Sequence, residues 1–241
     1  KSNQCIGCNF SDLELKKLNL WNFDISKSDF SKSNLTKTNF HGSNLSSSIF
    51  NSSVLIGAQF QSVNFDNSLL LNVKATASSF IGASLINAKL NNSDFRGADM
   101  QSINFVNGEA IGADMKSTNF TGANLSYSDF SNAIFTGANF TGADLTGANF
   151  TGANLKNVDF SGTNLTNVNF KKASLINSKF NLSNLSNVNF DESDLSQAKF
   201  EDIFYCGNRL IGKINSNSFF DGIITEEKED NTYILKNLTC N

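Results

Sequence analysis

The sequence predicts an all-β fold: a four-sided solenoid of about ten stacked coils, read from an internal repeat. Three observations predict it. Every fifth residue from Phe10 to Leu210 is apolar, without a break in phase. Fifteen of the 16 glycines share one phase of this repeat, two places after the position of a centre, Gly108 being the exception. Proline is absent from all 241 residues, as expected where nearly every backbone N–H is needed in a ladder.

The pentad explains each element in turn. Two places before a centre comes a small or aliphatic residue, such as Ala138, Ala143, Ala148 or Val158, and between the two comes Asn or Asp. Period-two alternation puts the centre and its minus-two residue on one face, so each pentad supplies a short extended segment with two inward side chains. The plus-two position is filled by Gly or, as at Asn157, Asn167 and Asn187, by Asn. That choice fits a backbone with φ > 0, which the third residue of a type II turn requires. A corner every five residues closes a square in four, and a six-residue period is excluded. Coils stacked at ~4.8 Å make a rod of about 48 Å.

The square arrangement also predicts the core. Centres ten residues apart lie on opposite walls. Phe120, Phe140, Phe160 and Phe180 therefore face Phe130, Phe150, Phe170 and Phe190, while Leu145, Leu155 and Leu165 occupy the other pair of walls. In the less regular middle, Phe65 faces Ala75 and Met100 faces Ala110, large against small, which keeps the core filled at constant width.

Tandem units such as Ala143-Asp144-Leu145-Thr146-Gly147 and Ala153-Asn154-Leu155-Lys156-Asn157 resemble the pentapeptide-repeat family, over about residues 8–212. The resemblance implies a right-handed quadrilateral parallel β-helix. It implies no single role, because the family's functions are diverse.

Stacked coils leave an open core and unpaired ladder groups at each end, so caps are expected. Bulky minus-two residues Leu13, Leu18 and Phe23 suggest that residues 1–25 form a widened first coil that plugs the core. The β-helix proper is expected over 26–212. Residues 213–241 should form a C-terminal cap: a β-hairpin turning at the charged run Glu226-Glu227-Lys228-Glu229-Asp230, or else a short amphipathic helix.

The four cysteines lie only at the ends, Cys5 and Cys8 against Cys206 and Cys240. A single four-ligand zinc site within one chain is excluded, because nearly the whole rod separates the pairs. Two local disulfides, Cys5–Cys8 and Cys206–Cys240, would clip the ends and imply an oxidising compartment. The alternative for Cys5 and Cys8 is that they simply fill small inward slots. Some cyanobacterial members of the family similarly open with Cys-x-x-Cys, and exported members reach the periplasm or the thylakoid lumen. That resemblance implies export, with a cytoplasmic location as the alternative. The chain opens on Lys1 rather than Met, so a leader removed in maturation is one expectation.

Function must be sought outside catalysis. A solid core and flat walls offer no sheltered pocket for a general base. His41, directly after centre Phe40, points outward, and Asp99, Asp114 and Asp144 fill the repeat's own Asn/Asp slot. No catalytic residue, metal ligand or cofactor is expected. A net charge of −3 argues against a basic nucleic-acid surface, and no apolar run reaches the length of a membrane span. A scaffold or protein-interaction module is expected, binding through its walls or its end caps. End-to-end pairing of two copies is one form such contact can take. The family suggests an alternative, DNA mimicry directed at a type II topoisomerase, which needs an acidic stripe along one wall. The column of every twentieth residue through Asp94, Asp114 and Asp194 is interrupted by Asn34, Lys74, Asn154 and Ser174.

Overall fold

A computed structural model describes residues 3–204 together with Phe219–Phe220, Thr225–Glu227 and Tyr233–Leu235. The chain winds as a quadrilateral parallel β-helix. Each pentad forms one parallel bridge with the pentad 20 residues on, in an unbroken series from Gln4↔Asp24 to Asn184↔Phe204. At each bridge the Asn/Asp slot donates and accepts in the same direction. Ile49 donates to the Ser28 carbonyl (2.9 Å) and accepts from Phe30 N–H (2.7 Å). Stacking the bridges defines four walls. The first carries Gln4, Asp24 and Asn44, the second Asn9, Asp29 and Ile49, the third Glu14, Asn34 and Val54, and the fourth Asn19, Asn39 and Gln59.

The corners are β-turns closed by the N–H of the next minus-two residue, as where Ala138 donates to Phe135 (2.8 Å). Every plus-two residue from Gly7 to Asp202 has positive φ, Gly137 at 71° for example. Many of these are Lys, Ser or even Tyr127 (59°) and Leu182 (57°) rather than Gly or Asn. Such residues cost roughly 1–2 kcal/mol each in this region, a strain that the surrounding ladder imposes.

The centres and their minus-two neighbours form one continuous buried core. On one wall Phe120, Phe140, Phe160, Phe180 and Phe200 stack face to face, with centroids 4.9, 5.2, 5.2 and 4.7 Å apart. The opposite stack of Phe130, Phe150, Phe170 and Phe190 meets the first edge-on, as Phe140 does Phe150 at 89°. Leu145, Leu155 and Leu165 lie fully buried between the stacks. Gly108 has a packing reason: a Cβ there would overlap the ring of Phe105, which fills the minus-two slot that Gly108 leaves empty.

The first coil corrects one expectation. It is not widened, since its bridges from Gln4 onward keep the same 20-residue register. Leu13 and Leu18 are 46% and 41% exposed rather than plugged into the core, whereas Phe23 packs against it. Cys5 and Cys8 are joined in a disulfide across the first corner, Cα atoms 5.6 Å apart. The proposed partners Cys206 and Cys240 lie outside the described residues.

At the other end β1 (Lys199–Phe200) pairs in parallel with β2 (Phe219–Phe220), again 20 residues apart. Beyond it β3 (Thr225–Glu227) and β4 (Tyr233–Leu235) pair antiparallel, Thr225 opposite Leu235. Glu226 and Glu227, expected at a turn, belong to β3, and the connection 228–232 is outside the described residues.

Candidate interaction surfaces

The walls are built on one local rule. The Oδ1 of most Asn or Asp residues at the bridge position accepts from the N–H two residues on, and in many cases from its hydroxyl where that residue is Ser or Thr. Asn139 accepts both from Thr141 (2.9 and 2.6 Å), and Asn149 both from Thr151 (3.1 and 2.6 Å). The Asn amide then reaches the coil below, as Asn164 does to the Thr146 hydroxyl (2.9 Å). Asp99, Asp114 and Asp144 do the same work, accepting from the N–H of Gln101, Lys116 and Thr146. These carboxylates are turn caps. His41 is exposed on the fourth wall, and among the described residues no cluster of His, Cys, Asp or Glu suits a metal ion.

Charge on the walls is paired locally. Arg96 forms a two-pronged contact to Asp94 (2.8 and 2.7 Å), and this hydrogen bonding holds the Asp94 carboxyl below its ordinary range against the opposing effect of partial burial. Lys89 lies 2.9 Å from Glu109 and lowers it likewise. Partial burial pushes Asp159 up, but Ser161 and Lys179 together outweigh that and leave it lowered. The third wall does align Lys74, Asp94 and Asp114. Asp94 and Asp114 are bonded to Arg96 and Lys116, however.

One exception to the local rule lies at residues 49–71. Here the outward slots hold Ile49, Leu69 and Leu71 on the second wall and Val54 and Ile56 on the third, with Ile56 40% exposed. Leu69 cannot cap Leu71, so the Leu71 N–H turns to Asn51 of the coil below (3.1 Å). The sequence carried this signal, because each of these aliphatics breaks a slot given mostly to polar residues. Trp21 (53% exposed) and Ile6 (54%) add apolar surface on the first coil.

The family profile for pentapeptide repeats matches in eight copies, at residues 4–42, 14–51, 33–72, 78–116, 98–142, 113–152, 133–171 and 169–203. Among solved structures the chain is similar to HetL, a pentapeptide repeat protein involved in heterocyst differentiation regulation in the cyanobacterium Nostoc. The two share 23% identity over 82% of this chain and 89% of that one, with a TM-score of 0.46. It is also similar to QnrB1, a plasmid-mediated fluoroquinolone resistance protein (16% identity, 84% and 93% covered, TM-score 0.48). A pentapeptide repeat protein of the Arabidopsis thaliana thylakoid lumen matches at 23% identity over 57% and 68%, with a TM-score of 0.20. Curated protein sequences return no match.

Proposed function

This chain belongs to the pentapeptide-repeat family of right-handed quadrilateral β-helices, and we propose that it works as a rigid, non-enzymatic module that docks protein partners on its walls. The observation that carries the proposal is the aliphatic patch of residues 49–71. Val54 and Ile56 stand outward where the repeat uses hydrogen-bonding side chains, so they give the fold neither a cap nor core contact. Exposed apolar groups clustered on an otherwise polar surface mark interaction sites. A rigid wall also loses little conformational entropy on binding.

The test is capture from extracts of the native host, identified by mass spectrometry, with wild-type protein against Ile56→Thr. The substitution copies Thr36 and Thr76 of the neighbouring coils. A partner held by the wild type and lost by the variant is expected, and identical captures would remove the patch from consideration. DNA mimicry is the weaker alternative, since Asp94 and Asp114 of the third wall are paired with Arg96 and Lys116. Purified protein is expected to leave DNA supercoiling by a type II topoisomerase uninhibited, and clear inhibition would reverse the order.

We also propose that the protein is exported, on the support of the Cys5–Cys8 disulfide, with Cys206–Cys240 as a second bond. Non-reducing mass mapping of native protein tests both, and four free thiols would defeat them.

A further inference from the structure

We infer that the second wall pairs with a second copy of this chain, side by side and antiparallel. The inference rests on the proposal that the walls dock proteins, and it names one occupant. Ascending this wall, the bridge residues run Asn9, Asp29, Ile49, Leu69, Lys89, Glu109, each directly above the last. The central four read acid, apolar, apolar, base. Turn a second copy end over end, about a two-fold axis crossing the wall between Ile49 and Leu69. Ile49 then meets Leu69 of the second copy, and Asp29 meets its Lys89, each twice by symmetry. Such isologous self-complementarity is what a two-fold interface demands.

The rest of the wall tolerates this pairing. Glu109 falls opposite Asn9, and Leu71 opposite Asn51. At the flanking corners Lys32 meets Asn92 and Lys27 meets Asn87, so no like charges face each other. Lys89 already bonds Glu109 at 2.9 Å with its side chain 47% exposed. In the pair it would lie between Glu109 and Asp29 of the second copy. The third wall, which shares the aliphatic patch, fails the same operation. Reversal about Val54 brings Asp94 onto Glu14. The contact spans six coils, about 29 Å at the usual strand spacing, which suits a reversible dimer rather than an obligate one.

Sedimentation velocity of the full chain across a concentration range tests the inference. A reversible dimer is expected. Asp29→Lys places Lys against Lys89, and Lys89→Asp places Asp against Asp29, so each variant alone should dimerise at least tenfold more weakly. An equimolar mixture of the two restores both opposite-charge contacts and should recover the dimer. Leu69→Asn, which installs the repeat's usual residue, should abolish the dimer with an unchanged melting temperature. A wild-type chain that stays monomeric throughout, or a mixture that fails to recover, overturns the inference. In that event, partner capture that still depends on Ile56 would leave the wall-docking proposal standing.

Discussion

Residues 117–200 and residues 43–116 wind through the same coil in different chemistry. The later coils mostly repeat Asn or Asp, then Phe or Leu, then Ser or Thr, so that most wall residues cap their own turns. The earlier coils mix aliphatic and charged wall residues and redirect N–H groups to the coil below, as Ile86 does to Asp66 and Ile111 to Asn91. Their cores differ as well. Continuous face-to-face Phe stacks give way to Phe65, Met100, Phe105 and Ala110, with rings tilting into neighbouring slots. The fold therefore needs inward volume and corners with positive φ, and leaves the outward slots free to vary. Where they vary is where function is to be sought.

Six substitutions would break or sharpen this contrast. The largest effect is expected from Phe150→Ala, which removes a fully buried ring from the regular stack. A loss of ~3–5 kcal/mol in denaturant melts is the usual range, and a loss below that of a wall substitution would refute the inward register. Next come two glycines. Gly108→Ala drives a Cβ into the Phe105 ring and should cost ~1–3 kcal/mol, as overpacking does. Gly142→Ala, with open space around it but φ +67°, should cost only the left-handed backbone penalty of roughly 1–2 kcal/mol. Equal costs would mean that Phe105 relaxes freely. Asn139→Ala uncaps Thr141 and should cost about 1 kcal/mol, whereas Ile49→Asn on the irregular stretch should be neutral or slightly stabilising. The smallest effect is in pH. Asp94, Glu109 and Asp159 titrate below their ordinary values. Their contribution is therefore complete above the unfolded carboxylate range, about pH 4, and is lost as pH falls through the lower folded values. Asp94→Asn should flatten part of that acid-side decline, and an unchanged slope would argue against the Arg96 contact.

Much of this was legible in the sequence because phase alone determines it. The apolar period placed Phe120 to Phe190 in their stacks, and the Gly/Asn period placed the corners. The limits are physical too. Gly108 stood out as an exception, yet only the tilt of the Phe105 ring explains it, and a ring's tilt depends on its neighbours in space. Leu13 and Leu18 looked like a plug because bulk in an inward slot suggests overfilling. At the first coil, which has no coil beneath it, the same bulk is left largely exposed. The wall patch was visible as broken slots, but its pairing depends on which residues align vertically, and that needed the bridge register.

That register has a consequence for how such a chain can change length. Each bridge joins residues 20 apart, so an insertion of one whole coil leaves every later side chain on its original face. A duplication of a single pentad preserves the core pattern equally well, yet turns everything downstream by a quarter of a revolution. The structure would survive while the surface was reassigned, Lys89 leaving the column of Ile49 and Leu69 for the next face round. Among descendants of this chain, gains and losses of 20 residues beyond residue 109 should thus be silent for binding by the second wall, and those of five should create new specificities without loss of folding.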